Sequence, residues 1–193
     1  MTTTEILPSL TLSTDQFEAA RAAVSEHAPD LPPLTYERWT RPRSWALVPD
    51  QAGEAYKAEM ELARDAERML RVTVWLLPDL RGGEAPKPHS HPWSFRSHIL
   101  AGGYTEHRYD PATAPAGLSV LEHDAGAVNA IDRVEYHEVV ELHEPGTLTL
   151  MVCGPGVRGG WGYLDVATGI HLPLEPDPGF SGRFRALNGH LVG

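Results

Sequence analysis

Two histidines, His89 and His91, lie one residue apart in the segment HSHPWSFRSHIL. If this segment is a strand, alternate side chains point to the same face, and the two imidazole rings lie close together. Two buried imidazoles are costly unless they share a metal ion or a carboxylate. Neutral imidazole nitrogen binds iron(II), zinc, nickel, copper or manganese. The pair therefore predicts a site for a divalent metal ion.

Other residues follow this pair at regular intervals. Gly83 lies six positions before His89, Arg96 lies five positions after His91, and Gly103 lies seven positions after Arg96. This frame resembles the first motif of the cupin family, G-x5-H-x-H-x4-E-x6-G, with Arg96 in the place of the usual Glu. The resemblance implies a metal site built on this segment.

The second cupin motif, G-x5-P-x-G-x2-H-x3-N, is matched only by its first glycine and its histidine. Gly126 and His137 stand at the required separation. Asp132, Val134 and Glu141 replace the Pro, Gly and Asn of the motif. The resemblance implies that His137 joins the histidine pair as a third metal ligand.

A longer resemblance covers residues 71–166. The string HSHPWSFRSHILAGGYTE is similar to the H-x-H-P-W-x-F-x-S-x-I-L-x-G-G-Y-x-E signature of a bacterial cupin subgroup. The segments YHEVVEL, TLTLMVCGP and WGY resemble later pieces of the same subgroup, F-H-R-I-V-E-L, T-L-F-x-x-G-P and W-G-F. The resemblance implies an all-β fold, a cupin-type double-stranded β-helix or jelly-roll barrel, with one bound divalent metal ion. It does not imply a single reaction.

The fourth ligand of the family, a glutamate, cannot be carried over, because Arg96 occupies its place. Glu106, in the segment GGYTE, is the candidate substitute, as fourth metal ligand or as general base. Tyr104 shares the face of Glu106 and is a second catalytic candidate. The alternative for Glu106 is an exposed carboxylate on a strand.

Four residues are candidates for contact with a substrate: Trp93, Arg96, Arg158 and Trp161. The planar fork of an arginine suits a carboxylate. A strand without a bulge, however, places Arg96 on the face opposite His91, where it is solvated. Arg158, in GPGVRGGW, either reaches the barrel mouth or belongs to a solvated loop. The two tryptophans either line the site or pack in the core.

The segments that position these residues divide the chain into an N-terminal third and a β-barrel. From residue 71 onward, short apolar runs alternate with Gly and Pro turns, as is typical of a sandwich or barrel. We predict a single domain, with residues 1–70 forming an arm and one or two short helices packed on a barrel of residues 71–193. Within the N-terminal third we predict an extended arm over 1–12, a helix over 15–27, a strand over 44–48 and a helix over 53–70.

Composition limits the class of protein and its partners. The 193 residues suffice to bury a core without a structural metal, so a bound ion is expected to be functional. A net charge of −10 argues against nucleic acid or an anionic membrane as partner and leaves a small-molecule substrate. The single cysteine, the absence of a signal-like N-terminus and the absence of a long apolar run predict a cytoplasmic protein.

The resemblance is compatible with three kinds of function. We favour an Fe(II)-dependent dioxygenase or oxygenase of the three-histidine type, acting on a small amino-acid-like or carboxylate metabolite. The first alternative is a Zn(II)-dependent, redox-neutral enzyme, including nitrogen–nitrogen bond-forming biosynthetic chemistry. The second alternative is a metabolite-binding cupin without catalytic activity.

We also predict a homodimer, built through the N-terminal arm and an outer sheet of the barrel. Cupin barrels commonly pair in this way. The arm also contains four apolar residues without an obvious helix to bury them: Ile6, Leu7, Leu10 and Leu12.

Overall fold

Fourteen β-strands and three α-helices form the part of the chain that this computed structural model describes, residues 2–80 and 85–192. The motif glycine Gly83 lies outside these residues. The first five strands are β1 (Thr3–Leu7), β2 (Leu10–Ser13), β3 (Ala46–Pro49), β4 (Ala55–Arg64) and β5 (Met69–Trp75). The remaining strands are β6 (His89–Ser90), β7 (Phe95–Ala101), β8 (Gly103–Asp110), β9 (Gly117–Asp124), β10 (Val128–Ile131), β11 (Tyr136–Leu142), β12 (Thr147–Cys153), β13 (Gly162–Asp165) and β14 (Ile170–Pro173).

The helices lie at the two ends of the described chain: α1 (Thr14–His27), α2 (Tyr36–Thr40) and α3 (Phe180–Leu187). Two short 3-10 helices accompany them, Pro42–Ser44 and Gly189–Leu191. No helix among the described residues is both long and apolar enough to cross a membrane.

Two six-stranded antiparallel sheets make up the barrel, and β1 and β2 pair separately. The first sheet has the order β10-β7-β12-β5-β4-β3, and the second has the order β14-β13-β6-β11-β8-β9. The pairs β5–β12, β6–β11, β7–β10 and β8–β9 are nested like the two arms of one long hairpin. Rolling that hairpin so that successive pairs alternate between sheets gives a jelly roll. The predicted cupin-type jelly-roll barrel is therefore confirmed.

The first sheet has an outer face under the N-terminal elements and an inner face toward the second sheet. In β5, Val72 and Val74 join the apolar cluster beneath α1. Trp75 instead packs on Tyr104 of the second sheet, with ring centroids 6.2 Å apart. Because side chains alternate along a strand, Arg71 lies on the same inner face as Trp75.

Helix α1 confirms the predicted helix over residues 15–27. It begins with a capping box: the Ser13 hydroxyl accepts a hydrogen bond from the Gln16 amide at 3.1 Å, and the Gln16 side chain accepts one from the Ser13 amide at 2.9 Å. The apolar stripe of the helix is buried against the barrel: Phe17, Ala20, Ala23 and Val24.

The N-terminal arm folds as the hairpin β1–β2 instead of reaching away from the chain. Its four apolar residues are buried in the same cluster as α1, where Leu10 is 0% exposed and Leu12 is 2% exposed. These side chains are therefore satisfied within one chain. The homodimer stays a prediction, now without the argument from this arm.

The predicted helix over 53–70 is wrong, because residues 55–64 form strand β4. Ala58 and Met60 are fully buried in the cluster under α1, whereas Lys57 and Glu59 point to the opposite, inner face. This two-residue alternation is that of a strand covered on both sides. Pairing with β3 and β5 thus overrides the helix propensity of Ala, Glu and Met.

We expect Ser13→Ala to lower the free energy of unfolding by about 1 kcal/mol, because it removes the helix cap. The matched control is Ser25→Ala, in the exposed part of the same helix, where the hydroxyl bonds only the Arg21 carbonyl. Equilibrium denaturation in urea measures both variants. Equal stability losses for the two would contradict the capping role.

Candidate metal centre

Three histidines converge inside the second sheet. His89, on β6, lies directly opposite His137 on the neighbouring strand β11, and His91 follows one residue after β6. One ring nitrogen from each lies within 4.8 Å of the others. The side chains are buried, with exposed fractions of 1%, 6% and 8% for His89, His137 and His91. The sequence-predicted set is thus brought together.

The three rings lie close enough together to bind one metal ion. His91 Nε2 lies 2.9 Å from His137 Nε2, and the His89 ring centroid lies 4.9 Å from each of the other two rings. Burial lowers the pKa of His91 well below its ordinary value, and the neighbouring His89 and His137 lower it further. His91 is therefore neutral, which is the form of imidazole that binds a metal ion.

Glu106, on β8, contacts the Nδ1 side of the His137 ring, whereas the Nε2 side faces His91. Its Oε1 accepts a hydrogen bond from His137 Nδ1 at 2.6 Å. An ionised carboxylate only accepts, so Nδ1 carries a proton, and in the neutral imidazole the lone pair is then on Nε2. That lone pair belongs to the nitrogen that faces His91. The hydrogen bond therefore fixes the His137 tautomer that a metal ion requires.

The second oxygen of Glu106 is also engaged. Oε2 accepts hydrogen bonds from His123 Nε2 and from Arg108 Nη2, each at 3.0 Å. Burial alone would raise the pKa of Glu106, but the hydrogen bonds from His123 and His137, with the charge of Arg108, hold it well below its ordinary value. The carboxylate, 0% exposed, is thus ionised and has a donor at each oxygen.

This geometry corrects the expectation that Glu106 is a fourth metal ligand. Its oxygens lie on the Nδ1 side of His137, and it is not part of the converging group formed by the three histidines. In the register of β8 and β11, Glu106 stands opposite Val139, two residues beyond His137. That diagonal offset lets the carboxylate reach the back of the ring. Glu106 is placed to orient the His137 ring.

Tyr104, the other predicted catalytic residue, is 3% exposed and belongs to the wall of the barrel. Its hydroxyl accepts a hydrogen bond from Asn129 Nδ2 at 2.9 Å, and Asn129 Oδ1 accepts one from Arg108 Nη2 at 2.6 Å. Burial raises the pKa of Tyr104 to about 12, so the phenol is neutral. Tyr104 therefore supports the Arg108–Glu106 contact through Asn129, and its contacts do not include the three histidines.

Two of the four predicted substrate-contacting residues lie beside the cluster. The rings of Trp93 and Trp161 have centroids 6.2 and 5.8 Å from that of His91 and 5.9 Å from each other. Both side chains are half-buried. Neither indole nitrogen has a hydrogen-bond partner among the described residues. The two tryptophans form an apolar wall next to His91.

The two predicted arginines are both exposed. Phe95 and Ser97 are buried, and Arg96 between them is exposed on the outer face of β7. The strand has no bulge there, so alternation places Arg96 away from the cluster. Arg158 is exposed in the loop before β13. Arg96 therefore does not reach the cluster in this arrangement, and the role of Arg158 stays a prediction.

Four further polar residues around the cluster are not predicted by the sequence patterns: Asp79, Arg108, His123 and Asn129. Arg108 continues the alternation of Tyr104 and Glu106 along β8, a signal that was available. Asp79 and Asn129 carry no such signal, because only the fold brings them in. Asp79 is 5% exposed, with Oδ2 3.8 Å from His89 Nε2. Two buried carboxylates, those of Asp79 and Glu106, thus flank the histidines.

The chain is similar to several solved structures. No family model matches the chain, and no curated protein matches it. The structure of KdgF from Halomonas sp. is 15% identical, covering 54% of this chain and 84% of its own, with a TM-score of 0.39. Hydroxypropylphosphonic acid epoxidase from S. wedmorenis is 14% identical to this chain, with a TM-score of 0.42. The match covers 58% of this chain and 56% of the epoxidase. An RmlC-like cupin from Shewanella frigidimarina NCIMB 400 is 16% identical, with a TM-score of 0.35. The match covers 58% of this chain and 86% of that cupin.

We expect Glu106→Gln to weaken metal binding by about 10–100-fold, because the amide no longer fixes the His137 tautomer with a full negative charge. Competition with a chromophoric chelator measures the affinity, and circular dichroism checks the fold. The control is Glu122→Gln on the neighbouring strand β9, where the carboxylate is exposed. Unchanged affinity in Glu106→Gln would contradict the positioning role.

Proposed function

We propose that the chain is a metal-dependent cupin enzyme, an Fe(II)-dependent oxygenase of the three-histidine type that acts on a small amino-acid-like or carboxylate metabolite. The observation that carries the proposal is the buried cluster of His89, His91 and His137, which includes no carboxylate within the described part of the chain. Three nitrogen donors leave coordination positions for substrate and dioxygen. The bound iron would supply the redox chemistry, which no protein side chain provides.

The residues around the cluster have distinct roles in this proposal. The three histidines hold the ion, and Glu106 keeps His137 in the binding tautomer. Trp93 and Trp161 exclude water beside His91 and offer a flat apolar surface to the substrate.

The alternative is a redox-neutral enzyme that uses Zn(II). Three histidines with an open fourth position are also a ligand set of catalytic zinc sites, where the ion polarises a substrate or activates water. The same cluster therefore supports both readings, and the metal decides between them. A metabolite-binding cupin without activity would keep the cluster but turn over no substrate.

We expect the purified protein to hold one equivalent of iron and to consume dioxygen with a member of a panel of amino acids and carboxylates. Elemental analysis, electron paramagnetic resonance of the nitric oxide adduct and an oxygen electrode provide the readouts. One equivalent of zinc with no dioxygen consumption would replace the oxygenase by the redox-neutral enzyme. Failure to bind any divalent ion would overturn the metal-dependent function as a whole.

We also expect His91→Ala to lose most metal affinity and all turnover while it stays folded. A large apolar cluster is buried between the first sheet and the N-terminal elements, and none of the three histidines belongs to it, so the ion adds only its binding free energy to stability. Thermal melting followed by far-ultraviolet circular dichroism tests this, for the variant and for the chelated wild type. The control is His107→Ala, whose ring lies next to Glu106 in sequence but outside the cluster. An unfolded His91→Ala protein at room temperature would show that the ion is structural.

A further inference from the structure

A polar cavity lies at the edge of the first sheet, beside β3 and β4, and has a volume of about 430 Å³. None of the three histidines lines it. Its charged lining consists of four arginines and two glutamates: Arg38, Arg43, Arg64, Arg71, Glu59 and Glu61. This local excess of positive charge stands out on a chain whose net charge is −10.

The two glutamates are already neutralised by neighbours. Glu59 forms two ion pairs. Lys57 Nζ lies 2.9 Å from Glu59 Oε1, and Arg71 Nη1 lies 3.0 Å from Glu59 Oε2. Burial would raise the pKa of Glu59, but the charges of Lys57 and Arg71 hold it below its ordinary value, so the group is ionised. Glu61 pairs with Arg64, at 2.7 Å. The carboxylates of the cavity therefore leave other arginines without a counter-charge.

Arg38 and Arg43 are those arginines. Within residues 2–80 and 85–192, no carboxylate forms an ion pair with either one, and the Arg38 side chain donates only to the Glu61 carbonyl, at 2.7 Å. Arg71, in the same lining, is mostly buried and pairs with Glu59, and its Nε has neither exposed surface nor a hydrogen-bond partner among the described residues. A buried N–H group without an acceptor is unfavourable. The cavity thus has donors and positive charge that its own residues do not satisfy.

We propose that this cavity binds a small molecule through a carboxylate or phosphate group. Planar guanidinium forks bind both kinds of oxyanion in a bidentate manner, and such bonds are strengthened by charge. The volume falls in the range of small-molecule sites. Arg38 and Arg43 are the lining residues whose guanidinium groups are free to bind the anion.

The test is isothermal titration calorimetry of the full chain with inorganic phosphate and, separately, with succinate, at low ionic strength. We expect saturable one-to-one binding of at least one probe, and the probe that binds identifies the group. The double variant Arg38→Gln/Arg43→Gln should weaken that binding by about tenfold or more, the equivalent of one charge-assisted hydrogen bond. Both side chains reach solvent, so the variant is expected to fold, and thermal melting verifies this.

Two controls separate this site from general charge effects and from the metal centre. Arg133→Gln removes one exposed arginine far along the chain and should leave probe binding unchanged. His91→Ala should also leave it unchanged, because His91 does not line the cavity. The proposal is overturned if neither probe binds, if the double variant binds as the wild type does, or if either control loses binding equally. Loss in His91→Ala alone would assign the anion to the metal centre.

Discussion

The hydrogen bond between the Glu106 carboxylate and His137 Nδ1 is the interaction on which the candidate site depends. An ionised carboxylate with no solvent exposure is costly to bury, and it is tolerated here because His137, His123 and Arg108 all donate to it. The same bond selects the protonated nitrogen of His137. The hydrogen bond that stabilises the buried Glu106 carboxylate therefore also leaves Nε2 of the neutral His137 ring available to a metal ion.

Sheet topology makes this arrangement possible. In the second sheet β6, β11, β8 and β9 are consecutive neighbours, and they carry His89, His137, Glu106 and His123. The histidines face one another across β6 and β11, and the carboxylate and its second donor come from the next two strands. A one-residue slip of β8 would send Glu106 to the outer face and leave His137 without its acceptor. The register of this sheet is thus a functional constraint as well as a structural one.

Sequence reasoning succeeded where a local pattern determines the outcome. The H-x-H spacing placed His89 and His91 on one side, and the cap and apolar stripe identified α1. It failed where contacts distant in sequence decide. Residues 55–64 form a strand because the sheet covers them on both faces, despite their helix-favouring composition. Glu106 was expected among the ligands because its face was known, but its offset from His137 across the strands was not.

The most direct test is a crystal structure of the metal-loaded protein, with anomalous scattering recorded at the metal edge. The account predicts one anomalous peak at about 2.0–2.2 Å from a ring nitrogen of each of His89, His91 and His137. Glu106 should remain on Nδ1 of His137, outside bonding distance of the ion. A peak bound to other residues, the three rings turned apart, or Glu106 bound directly to the metal would contradict it.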